Sequence, residues 1–351
     1  MMNIALISFT SSGLEIAERL KKKFEREENS TELINKETAE GKVSEEIERL
    51  FKEKDAIIFI SSAGIAVRMI APFIVSKTKD PAVAVIDDLG RYSISLLSGH
   101  IGGANALAEA AASELGAEAV ITTASDGRNI DSADMFAIRN GYIIGSMEDA
   151  KTVTQAMVEG KKIALISEKD EDLKYGRVLR IKPSELEKLE KADVSGVIAV
   201  SSSSLLRDEI INYMKYSERD NILMLIPREI YVGVGCRRNT SFTQLKDFIE
   251  ELFEKNGLDI RGVKAIGSID LKANEFGLIE LAEYLGAEFR TFSKEELLEF
   301  EDMFSGSEFV KKTVGVSSVS ETAAYKMSRN IIADVVKRDG MTVTIGKERV
   351  L

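Results

Sequence analysis

Short runs of apolar residues alternate along the chain with segments in which apolar residues recur every three or four positions. Runs at residues 4–9, 56–60 and 82–86 predict strands, and the segments between them predict amphipathic helices. The run at 56–60 is apolar at every position, which is typical of a parallel strand buried on both faces. This alternation predicts an α/β fold with mainly parallel sheets and helices on the faces of each sheet.

Glycine and acidic residues mark several element boundaries. Residues 87–91 predict a tight acidic turn between two strands, and Gly102 and Gly103 open a helix that Gly116 ends. Polar stretches at 125–129 and 217–220 interrupt the rhythm of strands and helices. We therefore predict three α/β domains, an N-terminal one at 1–130, a middle one at 131–226 and a C-terminal one at 227–351.

Charge and composition restrict the classes of function. The 351 residues include 47 Lys and Arg against 58 Asp and Glu, which gives a net charge of −11. This balance argues against a nucleic-acid or anionic-membrane binder, because both need a basic surface. The single cysteine, Cys236, and the single histidine, His100, exclude an internal disulfide and a histidine-rich zinc site. No apolar run approaches the roughly 18–20 residues that span a bilayer, so we expect a soluble, cytoplasmic protein without a membrane partner.

Two glycine-containing stretches in the N-terminal part could bind a ligand. Residues 61–72 place a Ser-Ser-Ala-Gly turn at a helix start, where backbone N–H groups attract carboxylate or phosphate; a simple packing turn is the alternative. Residues 97–105 surround His100 with glycines, between a strand end and a helix start where α/β proteins bind ligands.

A third stretch, residues 232–241, contains a glycine loop with two arginines. It lacks the third glycine of a dinucleotide fingerprint, since Arg238 occupies that position, so it suits carboxylates better than a pyrophosphate. Cys236 in this loop could act as a nucleophile, but no histidine lies near it in sequence. Thr240 or Ser241 would cap the following helix.

The fourth candidate is a pair of strand ends, at residues 267–275 and 315–324, that run through polar residues into helices. Glu275 and Glu321 are either catalytic carboxylates or helix-terminal residues that complement the dipole or an adjacent lysine. Ser318 or Ser320 would cap the last helix, and the spacing to Glu321 fits a capping box.

Four motifs in these stretches resemble the CbiG family, the cobalt-precorrin-5A hydrolases of anaerobic cobalamin biosynthesis. They are GIAVR at 64–68, LSGHIGGAN at 97–105, VGVGCRR at 232–238 and SETAA at 320–324. The resemblance covers nearly the whole chain, with little of it in the middle part. Asn239 departs from the glycine expected there, although asparagine tolerates the same left-handed turn.

The resemblance implies that water opens the δ-lactone of cobalt-precorrin-5A and that a two-carbon fragment leaves as acetaldehyde, which yields cobalt-precorrin-5B. No protein-bound cofactor or metal is implied, because cobalt arrives within the corrinoid substrate. His100 is the first choice as general base, and Glu321, Asp88 and Glu275 are weaker candidates for the second proton transfer. The expected substrate-binding residues are Gly64, Arg68, Ser98, Gly99, Gly102, Gly103, Asn105, Gly235, Cys236, Arg237, Arg238, Thr240 and Ser320. Among them, Gly102 and Gly103 would supply oxyanion donors, and the arginines would hold acetates and propionates.

Two other functions stay open from the sequence: a non-catalytic carrier of a corrinoid intermediate, and an anion- or phosphosugar-binding α/β enzyme. No feature favours an S-adenosylmethionine site. A homodimer and transient contacts with neighbouring enzymes of the cobalamin pathway are further expectations.

Overall fold

The computed structural model describes residues 1–35, 43–76, 79–99, 102–123, 130–214 and 221–349. They form two compact units, Met1–Asp131 and Ser132–Leu351. The polar stretches at 125–129 and 217–220 lie outside the described residues.

The first unit is a six-stranded sheet with helices on both faces. Its strand order is β2-β1-β3-β4-β5-β6, and every adjacent pair is parallel except β4 and β5. The strands are β1 (Asn3–Ser8), β2 (Ser30–Ile34), β3 (Ala56–Ile60), β4 (Ala82–Ile86), β5 (Tyr92–Leu97) and β6 (Glu118–Val120), and the helices are α1 (Ser11–Arg26), α2 (Val43–Glu53), α3 (Ala63–Ile70) and α4 (Ala104–Leu115).

Alternate residues of β1 explain why this sheet reads as continuous apolar runs. Ile4 and Leu6 pack in a core with α1 and α4, whereas Ala5 and Ile7 pack in a second core with α2 and α3. Both faces are therefore buried, which explains why the strand is apolar at every position from Ile4 to Ile7.

The second unit contains two sheets. The middle sheet has the order β7-β11-β10-β8-β9 and is parallel except for β7. Its strands are β7 (Ile143–Ile144), β8 (Ile163–Ile166), β9 (Val178–Ile181), β10 (Val197–Val200) and β11 (Ile222–Ile226), with helices α5 (Ala133–Arg139), α6 (Met147–Val158) and α7 (Leu206–Tyr213).

The last sheet has the order β14-β13-β12-β16-β15, with a parallel half and an antiparallel half. Its strands are β12 (Ile230–Gly235), β13 (Val263–Ile269), β14 (Glu288–Phe292), β15 (Ile331–Arg338) and β16 (Met341–Lys347). Its helices are α8 (Phe242–Lys255), α9 (Phe276–Leu285), α10 (Lys294–Leu298), α11 (Glu308–Val314) and α12 (Ser320–Ser328).

The three sheets with their surrounding helices confirm the predicted α/β class with mainly parallel sheets. The division of the second unit into a middle and a C-terminal domain stays a prediction. The expectation that strands and helices alternate to the end of the chain was wrong, since β15 and β16 form a hairpin. Asp339 and Gly340 connect them with φ angles of 50° and 81°, the left-handed pair that a two-residue hairpin turn requires.

Polar groups join the two sheets of the second unit. Ser202, just beyond β10, accepts a hydrogen bond from the Asp259 N–H at 2.8 Å and donates its hydroxyl to the buried Glu229 carboxylate at 2.9 Å. Lys347 pairs with the same carboxylate at 2.9 Å. The serine run at residues 201–204 thus has a structural role at this junction.

Candidate functional site

Asp88 lies where α1 begins, at the edge formed by the carboxyl ends of β1, β3 and β4. Thr10 caps α1 by accepting the Gly13 N–H at 2.9 Å, and its hydroxyl donates to the Asp88 carboxylate. The Ser12 hydroxyl donates to the Asp88 carbonyl at 2.9 Å. Asp88 is therefore fixed against the positive end of a four-turn helix, which favours a negatively charged side chain.

The predicted turn at 61–64 leads into α3 at the same edge. Ser62 is the N-cap residue and makes no side-chain capping bond. The exposed Arg68 guanidinium donates to the Gly64 carbonyl, one turn earlier in its own helix, at 3.3 Å. Gly64 and Arg68 thus contact each other, and Arg68 keeps most of its donors free of intrahelical bonds.

The loop at 97–105 lies at the opposite edge of this sheet from Asp88. Because β5 runs antiparallel to β4, it ends beside the start of β4, where Ser98 donates to the Asp80 carbonyl at 3.1 Å. The structure therefore does not bring Asp88 together with the glycine loop, contrary to a catalytic role shared with His100. His100 itself lies outside the described residues.

The described part of that loop is tightly wound around Asn105. Its side-chain oxygen accepts from Ser95 at 2.6 Å, and its amide donates to Thr123 at 3.1 Å, so Asn105 links β5 to the residues that follow β6. A Cβ on Gly99 would lie 2.7 Å from the Asn105 oxygen, and a Cβ on Gly102 would overlap Ser98. These contacts require both glycines for packing, and their predicted part in substrate binding stays a prediction.

Gly103 differs from the other glycines of the loop. It is the N-cap residue of α4 with φ 87°, and a Cβ there would meet no atom within 4 Å. The Cβ direction at Gly103 is therefore open at a helix start, and its part in binding an oxyanion stays a prediction.

The second candidate site lies in the C-terminal sheet, at the carboxyl ends of β12 and β13. Here β12 leads into the exposed Arg237 and Arg238, and Thr240 donates its hydroxyl to the Arg237 carbonyl at 2.9 Å. Of the two predicted caps, Thr240 and Ser241, it is Ser241 that caps α8, in a capping box with Gln244. A Cβ on Gly340 would overlap the Arg237 side chain, so this arginine lies across the β15–β16 turn.

A nearly buried ion pair supports the arginine loop. Lys272 and Glu275 are 2.7 Å apart, with side chains only 11% and 10% exposed. The Glu275 carboxylate also accepts the N–H of Asn239, whose φ of 61° is left-handed. Burial raises the pKa of Glu275, but the bonds from Lys272 and Asn239 outweigh it and hold the pKa below its ordinary value.

Cys236 is partly buried and lies near the ion pair of Lys272 and Glu275. Burial raises the pKa of its thiol, and the nearby Lys272 ammonium only partly offsets that effect. A thiol with a raised pKa is mostly protonated at neutral pH and is a poor nucleophile. The geometry thus favours a packing or binding role for Cys236.

Helix α12 begins at the same edge of the sheet. The Ser318 hydroxyl donates to the Glu321 carboxylate at 2.6 Å, while Val319 is the N-cap residue and no side chain caps the helix. The predicted capping box was therefore wrong, because Ser318 binds the glutamate side chain instead of a backbone N–H. Ser320 is buried, and its carbonyl would be overlapped by a Cβ on Gly233.

Close packing also explains why residue 235, the second glycine of the VGVGCRR motif, has no side chain. A Cβ on Gly235 would lie 2.5 Å from the Thr342 hydroxyl and 3.7 Å from the Cβ of Val319. Gly233 therefore lets α12 lie directly on β12, which places the start of α12 next to the arginine loop, whereas the space beside Gly235 is filled by Thr342 of β16.

Sequence reasoning missed two exposed apolar residues in the connection from β13 to α9, Leu271 and Phe276. Phe276 opens α9 but falls outside the helical spacing of its buried face, which consists of Gly277, Leu278, Leu281, Ala282 and Leu285. An aromatic residue off the apolar stripe of a helix was the available signal.

Across the described ranges, no three His, Cys, Asp or Glu side chains form a group that could hold a metal ion. No helix within those ranges is long and apolar enough to cross a membrane.

Comparison with known proteins assigns the chain to a family. Models of the cobalamin synthesis G N-terminal region, the cobalamin biosynthesis central region and the cobalamin synthesis G C-terminus match residues 45–126, 132–227 and 230–346. A cobalt-precorrin-5A hydrolase from Salmonella typhimurium is 37% identical over 98% of this chain and 97% of its own. One from Priestia megaterium is 33% identical over 97% and 93%. The crystal structure of CobE, a protein of the cobalamin pathway, matches 35% of this chain and 93% of its own with 26% identity and a TM-score of 0.34.

The three regions together define an α/β protein of cobalamin biosynthesis. With relatives of this identity over nearly its whole length, the chain belongs to the CbiG family.

Proposed function

We propose that this protein is a cobalt-precorrin-5A hydrolase, which opens the δ-lactone of its substrate and releases the two-carbon fragment as acetaldehyde. The observation that carries the proposal is the 37% identity, over nearly the full length of both chains, to a relative of that name. The site at the end of β12 supports it, because exposed arginines beside apolar side chains suit a flat macrocycle with carboxylates at its periphery.

The first step is hydrolysis of the lactone. A general base removes a proton from water, the resulting hydroxide adds to the lactone carbonyl, and the tetrahedral oxyanion collapses to a carboxylate and a free alcohol. His100 is the proposed base, because histidine is the side chain whose ordinary pKa lies nearest neutrality. Backbone N–H groups around Gly103, at the start of α4, would donate to the oxyanion.

The second step breaks a carbon–carbon bond. A base removes the proton of the new alcohol, acetaldehyde forms as the bond breaks, and the electron pair passes into the conjugated macrocycle, which then takes up a proton. Glu321 is the proposed second base: its carboxylate accepts the Ser318 hydroxyl, which leaves further lone pairs for a substrate proton. No protein-bound cofactor takes part in this scheme, and cobalt is part of the substrate.

The arginines of the loop at 237–238 would bind acetate and propionate groups. Both are exposed, and the loop that carries them is fixed by Glu275 and Thr240. A preorganised pair of guanidinium groups binds carboxylates in a fixed orientation at little entropic cost.

Anaerobic incubation with cobalt-precorrin-5A, followed by an assay of released acetaldehyde, tests the proposal. We expect release by the wild type and loss of at least about 100-fold in His100→Ala, the range of a missing general base. Equal release by both proteins would exclude His100 and make Glu321→Gln the next variant. Tight binding of the substrate without any acetaldehyde would support a carrier instead of an enzyme.

The role of the arginines requires a separate comparison. In Arg237→Ala and Arg238→Ala we expect KM to rise with little change in kcat, and the effect to shrink at high salt, because exposed charge pairs are screened. Arg290→Ala, which removes an arginine paired with Glu288 on β14, is the matched control. Equal KM values in all three variants would contradict the binding role.

A further inference from the structure

The connection from β13 to α9 exposes two large apolar side chains. Phe276 is 80% exposed and Leu271 is 63% exposed. A phenylalanine buries 150–250 Å² when it packs in a core, so one that stays in water contributes almost nothing to folding. Its presence therefore needs an explanation outside the fold of the isolated chain.

Phe276 lies directly beside the arginine loop. Its neighbour Gly277 packs so closely that a Cβ there would overlap the carbonyl oxygen of Thr240 and lie 3.1 Å from the Phe242 nitrogen. On the other side, Glu275 binds the N–H of Asn239. Two contacts thus fix the backbone around Phe276 to the loop that carries the arginines.

Two charged groups of this connection are engaged with each other. Lys272 and Glu275 lie between Leu271 and Phe276 in sequence, and they form an ion pair whose side chains are nearly buried. The connection therefore exposes Leu271 and Phe276 together with the polar Asp270 and Asn274. The loop with its two exposed guanidinium groups lies next to Phe276. A ligand that fits this surface has an apolar face and negative groups at its rim.

We infer that Phe276 and Leu271 form an apolar shelf on which the face of the corrinoid macrocycle rests, while the adjacent arginines bind its peripheral carboxylates. This inference rests on the proposed function and adds to it two residues that bind the substrate ring. Aromatic rings stack favourably on flat conjugated systems, and the stacking stabilises the complex beyond the area that it buries.

A second copy of the chain is a poorer occupant of the shelf. Stable protein interfaces bury roughly 1,200–2,000 Å² in total, several times what one phenylalanine and one leucine provide. The charge complementarity also favours the corrinoid, because the arginine loop beside Phe276 is cationic and the protein as a whole has a net charge of −11.

Phe276→Ser and Leu271→Ser test the inference. We expect KM for cobalt-precorrin-5A to rise about 10-fold in Phe276→Ser, as for the loss of one stacked ring, with kcat within about twofold. The dissociation constant, read from the absorption spectrum of the corrinoid, should rise in parallel. Phe276→Tyr should restore both values, and the melting temperature should not move because the side chain is exposed.

Met303→Ser, which removes an apolar side chain that is 54% exposed elsewhere in the same unit, is the control. Unchanged KM and binding in Phe276→Ser, with an active wild type, would overturn the shelf and leave the hydrolase intact. A wild type that neither binds the corrinoid nor releases acetaldehyde would overturn the proposed function itself. If Phe276→Ser turned a dimer into a monomer without raising KM, the shelf would belong to a second copy and the inference would be wrong.

Discussion

Substitution of Glu275 by glutamine tests how the arginine loop is held in place. The change removes a negative charge from a side chain that contacts the Lys272 ammonium at 2.7 Å and the N–H of Asn239. Glutamine keeps an oxygen that can accept the N–H, so the main loss is the charge opposite Lys272. The Glu275 charge also attracts the Arg238 guanidinium, so its removal should weaken the fixed orientation of that side chain.

The size of the effect follows from the burial of the pair. Removing one partner of a fully buried pair costs about 3–5 kcal/mol, and losing a hydrogen bond to a charged group costs about 1.5–3 kcal/mol. Because both side chains keep about a tenth of their surface in water and the N–H keeps an acceptor, we expect a loss of about 2 kcal/mol. In a unit of this size, that corresponds to a melting temperature lower by about 6 °C.

The effect should depend on pH. The pKa of Glu275 in the folded protein lies below its ordinary value of 4.5. A lowered pKa means that the carboxylate stabilises the fold above the unfolded-state pKa and that this contribution disappears as the pH falls through the folded-state pKa. The difference between wild type and Glu275→Gln should be full at pH 7 and should shrink as the pH falls below 4.5 and through the lowered folded-state pKa.

Urea unfolding of the whole chain at pH 7 and at acid pH measures this difference. Glu280→Gln, on the exposed face of the same helix α9, is the control and should leave the free energy of unfolding unchanged. Equal stabilities of wild type and Glu275→Gln at pH 7 would refute the argument, as would a gap that persists undiminished at acid pH. Loss of loop orientation predicts, in addition, a higher KM for the corrinoid with a smaller change in kcat.

Three further changes address packing, capping and the lone thiol. Gly233→Ala places a methyl group against the Ser320 carbonyl and should lower the free energy of unfolding by about 1–3 kcal/mol in urea, whereas Gly176→Ala, in open space, should stay within about 0.5 kcal/mol. Thr10→Ala removes the cap of α1 and should cost about 1 kcal/mol, measured by thermal unfolding. Because burial raises the pKa of Cys236, its alkylation by iodoacetamide at pH 8 should be slower than that of a free thiol and should accelerate at higher pH; rapid reaction at pH 7 would contradict this.

Strands buried on both faces could be predicted from sequence because burial on two sides leaves only apolar residues. The runs at β1, β3 and β4 are of this kind, and each is almost wholly buried in the structure. The final hairpin was missed for a different reason. Asp339 followed by Gly340 between two β-prone runs is a strong signal for a two-residue turn. The preceding alternation of strands and helices predicts a helix there instead.

The separation of Asp88 from the glycine loop followed from information that the sequence contains. A tight turn at 87–91 makes the next strand antiparallel, so the end of β5 must lie at the opposite edge of the sheet from the turn. Asp88 and His100, which are close in sequence, were nonetheless both predicted to be catalytic. The ion pair of Lys272 and Glu275 is different, because its burial depends on the loop at 237–240, whose approach no local pattern encodes.

The glycines of the C-terminal loop show how one feature can serve both the fold and the site. The space beside Gly233 is filled by α12, and the space beside Gly235 is filled by Thr342 of β16. This packing does not exclude a ligand. Because Gly233 lacks a side chain, α12 lies close to β12, and the start of α12 reaches the edge of the sheet where the arginines lie. Substituting Gly233 should therefore displace Glu321 along with the helix, so that a change far from any substrate contact would alter both stability and turnover.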